Sequence, residues 1–410
     1  MQHTTTKNTM RFGEFVALMA MMMSLVALSI DALLPALPEI GASLGVEQAN
    51  DNQLIISMLF LGLSIGQMFY GPLSDSIGRK TTIYIGLVIF MAGCTLALTA
   101  TSFTMMLVAR VIQGIGAAGP RTITLAVVRD QYDGRRMARV MSFVMTVFIL
   151  VPVVAPSIGQ AVLLFAHWRA IFGMYLVLSI IALAWFGTRQ PETLPTAKRI
   201  PFSGGRIMRA LREIFANRIA LGYTVMAGLV SGAFVGYLNS AQQIFQDQYG
   251  LGQLFPLYFS VLALALGSAS FLNARLVMRY GMRTLVLRSL LLITLLSIVF
   301  AAVVFTLAGQ PPLWLLMGFF LITFFGVGIL FGNLNALAME PLGHIAGVGA
   351  AVVGSLSTLL SSLLGTVIGQ NYNGTVLPLI FSFGILSALS LVVMRWSENG
   401  LNDEIVKNEG

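Results

Sequence analysis

The chain carries almost none of the side chains on which most enzymatic and disulfide chemistry is built. Its single cysteine, Cys94, excludes a disulfide framework and a cysteine-ligated metal site, and reads as a small core residue. Three histidines, His3, His167 and His344, stand too far apart to form a catalytic or metal-binding cluster with nearby acids. No G-x-x-x-x-G-K-[ST] loop is present, and no loop is long enough to house a nucleotide-hydrolysing domain. Charge is the scarcest commodity of all: Asp, Glu, Lys and Arg make up 10% of residues, against about 25% in an average soluble domain. So little charge could not cover a water-soluble globule of 410 residues.

What fills the chain instead is apolar. Hydrophobic residues account for 57%, gathered into stretches of roughly 20, the length a helix needs to cross a hydrocarbon core of about 30 Å. The pattern predicts twelve spans and an all-α membrane protein. The first six cover 12–36, 54–72, 81–100, 103–128, 138–163 and 168–187. The second six cover 219–241, 254–275, 284–307, 312–337, 345–371 and 376–396. The polar leader with Lys7 and Arg11 reads as the flank of an uncleaved first span, because eleven more spans follow.

An even count places both ends on one side. Of the 24 Lys and Arg, all but Arg110, Arg121 and Arg169 lie at the ends, in the even-numbered loops or at their helix edges. The positive-inside rule therefore predicts cytoplasmic termini and a cytoplasmic linker over 188–218, which holds Arg189, Lys198, Arg199, Arg206, Arg209, Arg212 and Arg218. Such a basic run reads as an interfacial or solvated linker. It divides an N-terminal bundle (1–187) from a C-terminal one (219–410). The formal charge of +8 and pI near 9.9 do not argue for nucleic acid, since a bilayer would hold the basic loops apart.

A weak repeat supports the division. The segment GPLSDSIGRK at 71–80 has a degenerate echo in ARLVMRYGMR at 274–283, with Gly78 aligned to Gly281 and Lys80 to Arg283. The same offset carries span one onto span seven and span four onto span ten, so the halves are two related bundles, an arrangement in which transporters place substrate near the midplane.

The 71–80 segment resembles the loop motif of the major facilitator superfamily. RVIQGIGAAGPR at 110–121 resembles the span-four motif of its proton-coupled members, and VPVVAPSIGQ at 151–160 the antiporter motif, with Ala155 and Gln160 where glycine is usual. SIDALLPALPEI at 29–40 and SFLNARL at 270–276 are similar to the bicyclomycin and chloramphenicol resistance branch of the twelve-span drug:proton antiporters. The resemblance implies the major facilitator fold and a proton-driven multidrug exporter in the bacterial inner membrane, working by alternating access, as a monomer in the lipid bilayer. It implies no enzyme activity, cofactor or metal.

Asp31 is the sharpest candidate residue, because an acid inside a span costs about 2.5–3.5 kcal/mol to insert and so faces a cavity or a partner. If span one ends near Leu37, marked by Pro38, Asp31 lies about 9 Å inside it. Arg110 lies at a matching depth, about 10 Å from the same face. A guanidinium reaching Asp31 directly, or through water or Gln113, would favour the ionised acid, while burial would favour the neutral one. That balance suits a proton-coupling pair of acid and modulator; the bland alternatives are an interfacial acid and a fixed ion pair tying two spans together.

Gly71, Asp75, Gly78, Arg79, Lys80 and Asp130 read as a cytoplasmic gate: Gly71 permits close approach, Asp75 can meet the N-terminus of span eleven, and Arg79 can pair with Asp130. Met278 stands where the second half would need Asp75, so any latch is one-sided. Gly114, Gly116, Pro152, Pro156 and Gly159 are positions of close packing or bending. Gln113, Phe234, Tyr237, Asn239 and Asn333 are candidates for a substrate cavity poor in charge. A specific metabolite exporter or symporter of the same fold, and a non-transporting membrane receptor or scaffold, are the competing readings.

Overall fold

The computed structural model describes residues 10–408, with side-chain surroundings up to residue 399. The readings placed on His3 and Lys7 fall outside it. No strand occurs among the described residues, as expected where hydrocarbon offers no partner to an open sheet edge. Twelve long helices carry the chain across the membrane. The first six are α1 (Phe12–Asp31), α2 (Leu54–Ile77), α3 (Arg79–Leu98), α4 (Phe103–Gln131), α5 (Gly134–Phe165) and α6 (Arg169–Arg189). The second six are α7 (Arg218–Gln242), α8 (Phe255–Tyr280), α9 (Met282–Thr306), α10 (Leu313–Met339), α11 (Ala346–Gln370) and α12 (Leu377–Asn408). The run Leu313–Gln370 is apolar over 58 residues, yet a 3-10 turn at Glu340–Ile345, opened by Pro341, divides it into α10 and α11.

Two boundaries differ from the sequence reading, each for a backbone reason. The first span does not continue to residue 36: α1 stops at Asp31, because Pro35 has no N–H to offer the Asp31 carbonyl. A 3-10 turn at Leu34–Ala36 follows, then a short helix at Leu37–Ser43 with Pro38 in its first turn. Pro38 thus starts a helix instead of ending one. The 71–80 segment, read as a loop, is helical on both sides of Gly78, the one residue between α2 and α3. Gly78 has φ 101° and ψ 157°, and its counterpart Gly281, between α8 and α9, has φ 74° and ψ 156°. That region is open essentially to glycine alone, so the repeat is preserved where backbone sterics demand it.

In the first half α4 is central, packed against α2 and α3 through glycines: Gly62 and Gly114 bring α2 and α4 together, Gly86 and Gly116 do the same for α3 and α4. A Cβ on Gly114 would lie 2.8 Å from the Leu63 nitrogen. In the second half α7 packs on α11 and α12, and α10 on α8. The halves meet along α2–α11 and α5–α8. Contacts of the α5–α8 pair lie away from the linker, at Ile149 with Gly267 and Val153 with Ser260. Nearer the linker, Arg135, Arg139, Ser142, Ala274, Arg275 and Met278 on these helices are exposed. A helix at Gly204–Ala216 lies within the linker itself. The end of the molecule that carries it is called the linker end below, the opposite one the distal end.

Candidate functional site

Asp31 sits at the break between α1 and the proline turn, 5% exposed. Among the described residues its carboxyl accepts no hydrogen bond and pairs with no cation. Arg110 is fully buried on α4, but its guanidinium is spent elsewhere: Nε donates to the Ile55 carbonyl (2.9 Å), one Nη to the Ser29 carbonyl (2.8 Å) and the other to Gln113 Oε1. The Gln113 amide in turn donates to Cys94 Sγ (3.0 Å). Arg110 therefore reaches α1 at the Ser29 backbone and makes no ion pair with Asp31. Two phenols lie within electrostatic reach of Asp31: Tyr175 on α6, which donates to the Leu28 carbonyl (2.9 Å), and Tyr237 on α7, whose buried hydroxyl has no partner among the described residues. Neither tyrosine was tied to Asp31 by the sequence, because α6 and α7 approach α1 only in the packed fold. Arg121, three turns along α4 from Arg110, is half-buried and engages no acceptor among the described residues.

The cavity candidates separate into distinct environments. Tyr237 is boxed by aromatic rings, with centroids 4.6 Å from Phe324, 5.4 Å from Phe320 and 5.8 Å from Phe259. Phe234 extends this wall, 5.6 Å from both Phe324 and Phe331. Asn239 is occupied in crossing between the halves, donating to Ser57 Oγ (2.9 Å) on α2 and the Gly365 carbonyl (2.8 Å) on α11. Asn333 forms a reciprocal amide pair with Asn273 of the SFLNARL segment (2.9 and 3.2 Å), joining α10 to α8. Gln113 is enclosed between α3 and α4 by the bonds to Arg110 and Cys94.

The distal end is bridged by neutral amides. Asn50 donates to the carbonyls of Gln370 (3.0 Å) and Tyr372 (2.8 Å), Gln370 returns a bond to the Asn50 carbonyl (2.9 Å), and Gln243 donates to Asn50 Oδ1 (2.9 Å). Gln53 bonds Gln243 as well. From there α2 and α11 remain joined toward the linker by Ser362 Oγ to the Ser57 carbonyl (3.0 Å) and Ser355 Oγ to the Ser64 carbonyl (2.7 Å). This seal was not read from the sequence: Gln and Asn in loop-like segments carry no signal until their partners, some 190–320 residues away, are known.

At the linker end the predicted neighbours come together. A Cβ on Gly71 would lie 3.2 Å from Ala351 Cβ, and Asp75 lies against Gly347 in the first turn of α11, where the helix dipole favours an anion. Arg79 bridges Asp75 (2.5 Å) and Asp130 (3.0 Å), and Lys80 Nζ donates to the Gly187 carbonyl (2.7 Å). Glu192 completes the cluster, accepting the backbone N–H of Arg79 (2.9 Å) and Lys80 (3.0 Å), so it caps α3. The sequence hint for Glu192 is an acid near the start of a predominantly basic linker. The linker backbone is tied to the same loop, Ile200 N–H to the Asp75 carbonyl (3.0 Å) and Phe202 N–H to Ser76 Oγ (3.1 Å). The second half keeps the positional echo but not the acid: Arg283 pairs with Glu340 (2.8 Å), while Met278 is exposed where Asp75 would stand. Of the packing residues, Gly114 and Gly116 sit at helix crossings, Gly159 meets the Ala32 carbonyl beside Asp31, and α5 remains one helix through Pro152 and Pro156.

Two six-helix bundles joined along α2–α11 and α5–α8, with amide contacts at the distal end and charged contacts at the other, give the fold of a multi-pass membrane protein. Residues 18–366 match the Major Facilitator Superfamily, and the chain belongs to that family. It is similar to an uncharacterized MFS-type transporter, YdgK, of Bacillus subtilis, with 31% identity over 400 residues and 95% of both chains covered. It is also similar to a bicyclomycin resistance protein homolog of Haemophilus influenzae, 28% identical and covering 92% of this chain and 94% of that one. In fold it matches a crystal structure of a D-xylose-proton symporter, with TM-score 0.74 at 14% identity, over 93% of this chain and 97% of the other.

Proposed function

We propose that this transporter exports small, largely hydrophobic drug-like compounds in exchange for protons, with Asp31 as the proton-carrying group. The observation that carries the reading is the placement of Asp31: a buried acid at the break of α1, with no partner among the described residues and within electrostatic reach of Tyr237 on the opposite half, whose ring adjoins Phe234. An intramembrane acid without a partner marks a proton or ion path by physical default. The similarity to a protein named for bicyclomycin resistance supports a drug as cargo.

The distribution of Lys and Arg supports a cytoplasmic linker end and cytoplasmic termini; a bacterial inner membrane as the location and a monomer as the working unit belong to the same proposal. The sealed distal end then faces outward, and the exposed linker-end halves of α5 and α8 form the entry from the cytoplasm. Arg110 modulates Asp31 through the backbone it grips at Ser29, and comes closer when the distal end opens. Gly71, Asp75, Gly78, Arg79, Lys80 and Asp130 form the inner gate, with the Asp75 contact to α11 breaking and re-forming as the halves rock. Phe234 and Tyr237 offer the cargo its apolar wall. Gln113, Asn239 and Asn333 take part only when the bonds they now make are exchanged.

The test is transport in liposomes. An imposed pH gradient should drive a lipophilic drug uphill through the unmodified protein, and Asp31→Asn should insert and fold yet lose pH-driven exchange. Full proton-coupled efflux by that variant would refute the assignment. Response to one polar compound alone would indicate a metabolite carrier, and no proton movement at all a receptor.

A further inference from the structure

The linker helix Gly204–Ala216 has three distinct sides. One, formed by Ile207, Ala210 and Ile214, is buried against the protein, where the helix packs on α11 and α7. A second side, Met208 and Phe215 two turns apart, is 50% and 58% exposed, and the approach to the helix adds Ile200 and Phe202 at 50% and 46%. The third is a row at i, i+3 spacing, Arg206, Arg209 and Arg212.

Among the described residues these arginines have no carboxylate partner. Among the described residues Arg206 and Arg209 donate only to backbone carbonyls of their own segment, Arg206 to Ile200 and Pro201 and Arg209 to Gly205, and Arg212 engages no acceptor. The acids of the linker are committed elsewhere: Glu192 to α3, and Glu213 to His344 (2.6 Å) in the turn between α10 and α11. In sequence the helix lies between the end of α6 at Arg189 and the start of α7 at Arg218, the linker-end termini of two spans. A large apolar edge beside an unneutralised basic row is costly in water alone and favourable at a lipid headgroup boundary.

We propose that this face binds the anionic phospholipid of the surrounding membrane, with the phosphate against Arg206, Arg209 and Arg212 and the acyl chain along Met208 and Phe215. Its position gives the contact leverage. The same segment is bonded to the α2–α3 junction through Ile200 and Phe202 and to the α10–α11 turn through Glu213, so a lipid held there bears on both halves.

The experiment uses the full chain in phosphatidylcholine nanodiscs, with a fluorophore on Gly204→Cys, a position with nothing within 4 Å of an added Cβ, and with buried Cys94 left in place. Phosphatidylglycerol with brominated acyl chains should quench the fluorophore at a far lower mole fraction than brominated phosphatidylcholine. The triple variant Arg206→Gln, Arg209→Gln, Arg212→Gln, which alters no buried contact, should reduce that preference by on the order of a hundredfold, from about 1 kcal/mol per basic residue at an anionic surface. Met208→Ser with Phe215→Ser should weaken quenching by both lipids. Equal quenching by the two lipids, an unchanged preference in the triple variant, displacement of the lipid by inorganic phosphate, or no quenching by either lipid would each overturn the proposal; the last would leave a soluble acidic partner as the occupant.

Discussion

Gly78 carries two constraints at once at the junction of α2 and α3. Its φ of 101° strains any side chain, and an added Cβ would also meet the Glu192 carboxylate and Arg199 Nη2 (2.8 Å). Gly281 shares the backbone geometry but has nothing within 4 Å of such a Cβ. Gly78→Ala should therefore destabilise the protein by about 1–3 kcal/mol from backbone strain and more from the displaced cap, whereas Gly281→Ala should show the strain alone. Thermal unfolding of the two variants in the same detergent measures the difference; equal losses would mean that the Glu192 cap contributes nothing. At Asp31 the sequence showed an acid within an apolar stretch, and the structure buries it, but its surroundings were not legible. The residue's type is visible in the chain, while its neighbours Tyr175 and Tyr237 come from helices that only packing brings near.

Among the elements, α2 and α11 are joined along their whole length, and the distal end depends on amide bonds formed across the halves. Neutral hydrogen bonds of this kind contribute individually little, but leaving a buried partner unsatisfied costs about 1–3 kcal/mol. Asn239→Ala removes the bonds to Ser57 and Gly365 and should shift the balance of sealed to open distal states by roughly 5- to 150-fold. Spin labels on Gln48→Cys and Asn371→Cys, both exposed at that end, would report the change as a longer inter-label distance. An unaltered distance distribution would show that Asn239 is not part of the seal. The proline turn after α1 acts at the same scale: by releasing the Asp31 carbonyl it ends the helix at the acid, and Gly159 of α5 then packs on Ala32.

For the whole molecule, the proposal that Asp31 is the single proton-carrying acid has a charge rule as its consequence. One proton moving down 100 mV supplies about 2.3 kcal/mol, enough for roughly a fifty-fold gradient of a neutral drug. A one-for-one exchange should thus be sensitive to membrane potential for a neutral compound and insensitive for a monovalent cation, which then follows the pH gradient alone. Vesicles clamped with potassium and valinomycin separate the two cases. Potential-driven uptake of the cation would require a second proton and a second titrating group.

Twelve apolar stretches, few charges and a basic bias between them were enough to determine the fold class, because hydrocarbon leaves the backbone no alternative to helices and water leaves the charges no place but the ends. Local chemistry was legible too: the glycine at each junction, the acid in the first span, the Arg79–Asp130 neighbourhood. Helix continuity around Pro35 and through residues 71–77 was misjudged, since hydropathy does not register a single missing N–H. Only the tertiary structure decided that Arg110 grips the Ser29 carbonyl instead of Asp31, that Glu192 caps α3, and that Asn50, Gln53, Gln243 and Gln370 seal the distal end. The reason is physical: a polar side chain in a membrane must find a partner, and which partner it finds depends on helices distant in sequence, whose approach is set by packing and not by any local pattern.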